Sequence, residues 1–157
     1  MEKKRINIIP PPSVMAERDE VLAKAYKDLI FFGRVFLPQD FLHKSESPQF
    51  HYDLSKKLIA HQPGARICNI IPRGMGKSIL SKAAIMHKFL FAETDKQNFV
   101  AWVSEEQGQS VDHLKYIRHH FEENEMIRYY FGNMDGGSVG KRWTEKDIVT
   151  PKGDRII

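Results

Sequence analysis

The stretch RICNIIPRGMGKSILSKAA, residues 66–84, decides how this chain is read. From Arg66 to Ile71 the run is apolar except for Asn69, and its length and flanks predict a strand buried on both faces. From Lys77 to Phe91, Ile79, Leu80, Ala83, Ala84, Leu90 and Phe91 recur at helical spacing. Between the two lies the turn Pro72-Arg73-Gly74-Met75-Gly76, followed by Lys77-Ser78. A turn leading from a buried strand into a helix amino terminus favours an anion, because unpaired amides and the positive end of the dipole converge there.

Each loop residue has a chemical reason to be where it is. Gly74 and Gly76 carry no side chain to block a ligand, so successive amides from Gly74 to Ser78 can wrap the β-phosphate of ATP. Lys77 then bridges the β- and γ-phosphates as a point charge, and the Ser78 hydroxyl takes one position on Mg²⁺. The phosphate-binding loop pattern G-x-x-x-x-G-K-[ST] is not complete, since Ile71 stands at its opening glycine and Pro72 removes an amide donor. Arg73 offsets the loss with a guanidinium that is always charged and binds phosphate through paired hydrogen bonds.

Working outward, Gln97 to Val103 is β-branched and aromatic and predicts a second strand. Ser104 and Gln107 have the form of a capping box, and Val111, Leu114, Ile117 and Phe121 supply the apolar face of the helix that follows. Strand, helix, strand and helix in that order predict a parallel sheet with right-handed crossovers, whose ligands bind at the carboxyl ends of the strands. Upstream, one helix is predicted from Val14 to Leu37 and another from Ser47-Pro48 to a stop at Pro63-Gly64. Downstream come a short helix from Glu125 to Phe131, a flexible glycine-rich link at 132–140, and a β-hairpin turning at Thr150-Pro151-Lys152-Gly153. Residues 1–13, with Pro10-Pro11-Pro12, read as an extended arm, and the chain stops in mid-strand as a truncated domain would. Strands left without neighbours predict exposed sheet edges and self-association.

Composition sets the outer bounds. With 157 residues, 41% of them apolar, the chain fills one domain and not two. Cys68 is the single cysteine, so no intramolecular disulfide forms and a reducing, cytosolic setting fits. Neither a membrane span nor a secretory leader is legible. A net charge of +4 is mild support for a nucleic-acid partner, and the basic side chains are dispersed.

Other chemistry-bearing residues have simpler readings. His113, His119, His120 and His87 have no spacing that sets three metal ligands on one face, and read as a solvated or partner-facing helix. Glu105 and Glu106 suit a helix amino terminus rather than catalysis. Phe99 and Trp102 read as sheet core and Cys68 as an inert packing residue.

Four pieces together carry a resemblance: PRGMGKS with arginine four residues before its lysine, PQFHYDLSKKL before the first strand, VSEEQGQSVDHLKYIRHHFEENEMI after the second, and a closing W-x-x-x-x-I-x-x-x-x-G-x-x-I. In this order they resemble the amino-terminal ATPase domain of the large terminase subunit of tailed bacteriophages, from about Phe31 to the end. The resemblance implies a P-loop NTPase-like parallel sheet with flanking helices, here a partial ATPase domain over 14–157 without the family's nuclease domain. It implies an ATP-driven motor that moves double-stranded DNA into an empty capsid. Its partners would be the portal protein, the small terminase subunit and further copies in a homo-oligomeric ring, with no membrane involved. The setting would be the host cytoplasm at the procapsid portal and not the mature virion.

By the same resemblance Lys77 and Ser78 match the phosphate and magnesium residues, and Arg73 matches the loop arginine that senses or stabilises the γ-phosphate. Lys77 and Arg73 are therefore the catalytic candidates, within a nucleotide site of Pro72, Arg73, Gly74, Met75, Gly76, Lys77 and Ser78. The family's adenine pocket draws on the segment before the first strand, where Gln49 and His51 stand here. The acidic motif that activates water follows the hairpin in that family and is not among these 157 residues, so weak binding and poor hydrolysis are expected. Two other readings share the residues: another P-loop ATPase of helicase-like type, and a non-catalytic interaction module with a degenerate loop.

Overall fold

The computed structural model describes residues 12–41, 46–60, 66, 68, 70–93 and 97–157. The predicted arm falls outside them up to residue 11, and a helix, α1 (Pro12–Lys27), already includes its last two positions. The single helix expected over Val14–Leu37 is two helices, because Asp28 takes an extended conformation between α1 and α2 (Leu29–Phe36). Its Oδ1 accepts hydrogen bonds from Ile30 N at 2.9 Å and Phe31 N at 3.1 Å, so the side chain starts a new helix rather than continuing the old one. A further turn that the periodicity does not reveal, α3 (Pro38–Phe41), opens on proline, whose lost N–H costs nothing at a first helical position.

Helix α4 (Gln49–Ile59) starts one residue later than predicted, with Pro48 at the cap, and closes at Ala60. The expected stop at Pro63-Gly64 lies outside the described residues. Helices α5 (Lys77–Leu90), α6 (Gln107–Glu123) and α7 (Glu125–Phe131) follow. Ser104 does not cap α6; Glu106 holds the cap position without a side-chain bond, and Glu105 and Glu106 set negative charge at the positive end of the dipole. Asn124 ends α6 and caps α7, its Oδ1 accepting from Ile127 N at 3.1 Å.

The core gathers around α2, which packs on α1, α3, α4, α5 and α7. Phe32, Phe36 and Phe89 are fully buried there with Leu29, Leu80, Met86, Leu114, Ile117 and Ile127. Buried His87 ties α5 to the end of α1, its Nε2 lying 3.2 Å from Ala25 O and 3.1 Å from Tyr26 O. Carbonyls only accept, so Nε2 carries the proton.

Three short strands make a mixed sheet in the order β1 (Phe99–Val100), β3 (Arg155–Ile156), β2 (Ile148–Val149). The expected hairpin is present: β2 and β3 are antiparallel, and the turn between them closes with Gly153 N on Thr150 O at 2.9 Å. β1 runs parallel to β3, joined to it through α6 and α7. Asp154 fixes this junction: fully buried, it accepts from Asn98 N and Asn98 Nδ2, both at 2.8 Å, and from the Thr150 hydroxyl at 3.4 Å. Arg155 adds a paired contact to Asp147, at 2.8 and 2.9 Å, which holds that carboxyl below its usual pKa.

Other expectations are corrected. The chain is α/β and mostly helical; its described strands form a small mixed sheet, and a parallel sheet built around Arg66–Ile71 is not shown among the described residues. Residues 66, 68, 70 and 71 pair with no described strand, and residues 67 and 69 lie outside the described set. Strand geometry needs a ladder partner, and none of the described strands is hydrogen-bonded to this segment. Ile70 is 93% exposed in consequence, and Cys68 is exposed rather than packed. Phe99 is likewise no core residue at 62% exposed, whereas Trp102 is half-buried and its ring lies 4.5 Å from that of His113. The glycine-rich link at 132–140 is built rather than loose: Asp135 Oδ1 accepts from Gly137 N, and Ser138 Oγ donates to Asp135 O, both at 2.8 Å, around a 3₁₀ turn at Gly137–Val139. Among the described residues no helix is long and apolar enough to cross a membrane.

Candidate functional site

The loop and the first turn of α5 form one anion-seeking surface. Gly74 and Gly76 have φ of 80° and 72°, a left-handed conformation that glycine adopts without strain. These two turns bring the chain round so that α5 begins at Lys77. Among the described residues no hydrogen bond uses the amides of Gly74, Met75, Gly76, Lys77, Ser78 or Ile79; the next amide, Leu80 N, donates to Gly76 O at 3.0 Å. A helix leaves its first amides unpaired, and here the loop extends that unpaired row by three residues.

Two side chains brace the loop. Lys77 Nζ donates to Ile71 O at 3.0 Å, spanning the loop from its last residue back to its first. His51 Nε2 donates to Met75 O at 2.9 Å, so the segment before the loop is tied to its crest. Gly76 suits this contact as well as its φ, because a Cβ there would stand a tight 3.3 Å from His51 Nε2.

The sequence-derived candidates do not all converge. Pro72, Arg73, Gly74, Met75, Gly76, Lys77 and Ser78 form the loop and helix start, and His51 joins them. Gln49 does not; its Nε2 donates to Asp53 Oδ1 at 3.1 Å along its own helix. Of the two upstream candidates, only His51 lies at the loop. Arg73 is exposed and has no described hydrogen-bond or ion-pair partner. Ser78 is exposed in the first turn of α5 with its hydroxyl bonded to no other described residue. Among the described residues no three His, Cys, Asp or Glu gather as a metal cage.

Beside the loop opens a cleft of about 280 Å³, lined by Gln39, Asp40, Phe41, Glu46, Ser47, Pro48 and His51 on one side and by Gly76, Ile79 and Leu80 of α5 on the other. Behind it lies a polar cluster that sequence reasoning missed. Tyr116 OH donates to Asp40 Oδ2, and Lys82 Nζ sits 3.6 Å over the Tyr116 ring. Lys82 is only 8% exposed, and burial pushes its pKa down against the opposing pull of Asp40. Burial and the bond to Asp40 push the Tyr116 phenol up. One signal was available: Lys82 lies between Ile79 and Met86 on the apolar stripe of α5, and a lysine on such a stripe needs a partner.

Of the three histidines of α6, His120 joins this cluster, His113 packs on Trp102, and His119 is exposed, as a solvated face requires. His120 packs at 4.5 Å on Tyr116, and burial, then the charge of His119, push its pKa down to about 4. Burial also lowers His87 and His113. The unfolded chain, with histidine pKa values of about 6.5, therefore binds more protons than the folded one in mildly acid solution. Folding stability is expected to be full above that pH and to fall as pH drops toward the lowered values. Urea midpoints at pH 7.5 and 5.0 check this, and His120→Gln should flatten the difference; a midpoint that rises on acidification contradicts it.

Comparison of the chain with protein-family models, with curated proteins and with solved structures finds no match.

Proposed function

We propose that this chain binds ATP with Mg²⁺ on the loop 72–78 and is the nucleotide-binding part of a viral DNA-packaging motor, the large terminase subunit. The observation that carries the binding is the row of unbonded amides from Gly74 to Ile79 with Lys77 Nζ held across the loop mouth. A triphosphate in that position replaces Ile71 O as the acceptor for Lys77 and satisfies amides that the fold leaves open. Arg73, exposed at the turn, adds charge where the γ-phosphate would lie.

The residues present fit Mg²⁺ of the kind that nucleotides carry. Ser78 offers a free hydroxyl next to Lys77, and Mg²⁺ takes its remaining ligands from phosphates and water rather than from a protein cage. Bound there, the ion supplies charge neutralisation between the β- and γ-phosphates. The motor assignment is supported by the order of the loop, the segment before it, the helix after β1 and the hairpin, and it brings as partners double-stranded DNA, the portal protein, the small terminase subunit and a ring of copies. A helicase-like ATPase would use the same loop chemistry.

One observation favours a different class of protein. Ile70, Phe99 and Val103 are 93%, 62% and 88% exposed, an apolar display that suits a non-catalytic interaction module. Titration of the chain with a fluorescent ATP analogue in the presence of Mg²⁺ separates the two. Saturable binding, displaced by unlabelled ATP and lost in Lys77→Ala, is expected. Equal binding by wild type and Lys77→Ala, or none by either, overturns the proposal and leaves the interaction module.

A further inference from the structure

The cleft beside the loop and the loop itself have opposite electrostatics. Lys77 and Arg73 belong to the loop, whereas the acidic side chains Asp40 and Glu46 line the cleft and no lysine or arginine does so among the described residues. Phosphates are repelled from the cleft and drawn to the loop, so the cleft suits the uncharged end of the same ligand. Its walls agree, with Phe41, Pro48, Ile79 and Leu80 offering apolar surface to a flat ring.

Resting on the triphosphate reading of the loop, we propose that Asp40 selects the base: its carboxylate accepts a hydrogen bond from the exocyclic amine of adenine, with Tyr116 and Lys82 as positioning residues. Three observations carry this. Asp40 lines the cleft, yet its Oδ2 is occupied by Tyr116 OH, and no other described residue donates to Oδ1. One oxygen is thus available, which matches a single amine donor and not the paired N–H groups on the edge of guanine. Tyr116 in turn stands over nearly buried Lys82, which has the hydroxyl's carboxylate partner as its opposing charge. Finally, a helix rises about 1.5 Å per residue, so Lys82 lies about 9 Å along α5 from Gly76, level with the base rather than with the sugar next to the phosphates. A 6-oxo base would turn a carbonyl oxygen toward a carboxylate oxygen and be rejected.

The test titrates the whole chain, with Mg²⁺, against ATP, purine riboside triphosphate (which lacks the amine), inosine triphosphate and 2′-deoxyATP. Wild type is expected to bind ATP about tenfold more tightly than purine riboside triphosphate. Asp40→Asn is expected to reduce that ratio below about threefold and to gain on inosine triphosphate, because its amide offers a donor to the 6-oxo group. Tyr116→Phe, which frees Asp40 without removing it, lowers the same ratio less, a change in selectivity that a merely structural role would not produce. Should Asp40→Asn fail to fold, the wild-type and Tyr116→Phe ratios decide. Equal wild-type affinity for ATP and purine riboside triphosphate, or a ratio untouched by the variants, overturns the role of Asp40 while leaving the loop reading intact. A wild-type preference for ATP over 2′-deoxyATP that Asp40→Asn erases would place Asp40 at the sugar and overturn it too. If no triphosphate binds wild type, the loop reading falls and this proposal with it.

Discussion

Lys77→Ala is expected to weaken ATP binding by about two orders of magnitude, with little change in folding stability. The ammonium group has three donors, and the loop aims it across its own mouth, as the 3.0 Å bond to Ile71 O records. Hydrogen bonds to charged groups contribute about 1.5–3 kcal/mol each, and a lysine shared between two phosphates makes at least one such bond that alanine cannot replace. Losing about 3 kcal/mol corresponds to about a hundredfold in affinity. Folding loses one half-buried bond to a carbonyl, worth about 1 kcal/mol. Lys77→Arg keeps the charge but not the compact head, so an intermediate loss is expected. Calorimetric titration of the three proteins checks the order; an alanine variant that binds as wild type does contradicts it.

The largest effect on folding is expected from Gly136→Ala. Gly136 has ordinary helical angles, φ −67° and ψ −22°, so alanine meets no conformational obstacle there. The obstacle is space: a Cβ would stand 1.8 Å from Val149 O and 3.0 Å from Trp143 Cε3. The first neighbour is backbone and cannot rotate away. Val149 N is bonded to Arg142 O at 2.8 Å and Lys141 N to Gly136 O at 2.9 Å, so the link at 132–140 and the hairpin would have to separate together. Overpacking costs about 1–3 kcal/mol where side chains can yield, and a backbone collision belongs at or above the upper end. A loss of about 3 kcal/mol lowers the melting temperature of a chain this size by roughly 6–12 °C. Gly108→Ala is the control: exposed in α6 with nothing within 4 Å of its Cβ, it is expected to be neutral or stabilising by up to about 1 kcal/mol. Thermal unfolding of the two variants beside wild type checks the pair, and a Gly136→Ala protein that melts with wild type contradicts it.

Much of the helical framework was legible because its signals are local. The apolar spacing after Gly76 located α5, and the short run Glu125–Phe131 is α7 to the residue. The hairpin followed from a proline and a glycine placed where its turn needs them. Periodicity could not show that Asp28 interrupts a helix, because the apolar stripe continues in phase across the break and the deciding bonds are to Ile30 N and Phe31 N. Nor could it settle Arg66–Ile71, since an apolar run specifies a strand only when neighbouring strands are there to pair with it. At the site, the loop residues announce themselves in sequence order. Asp40, Tyr116 and Lys82 come from three different helices and meet only through packing, which spacing along the chain does not record. Choosing between Gln49 and His51 likewise required seeing that one turns along α4 and the other toward Met75 O.

Nucleotide binding at this loop depends on its open amides, and isotope-edited spectra of the chain observe them one by one. On adding ATP with Mg²⁺, the amide resonances of Gly74, Met75, Gly76, Lys77 and Ser78 are predicted to shift most and to move together along one binding curve. Shifts spread over the surface, or confined to the exposed side chains around Ile70 and Phe99 while those amides stay fixed, would contradict it.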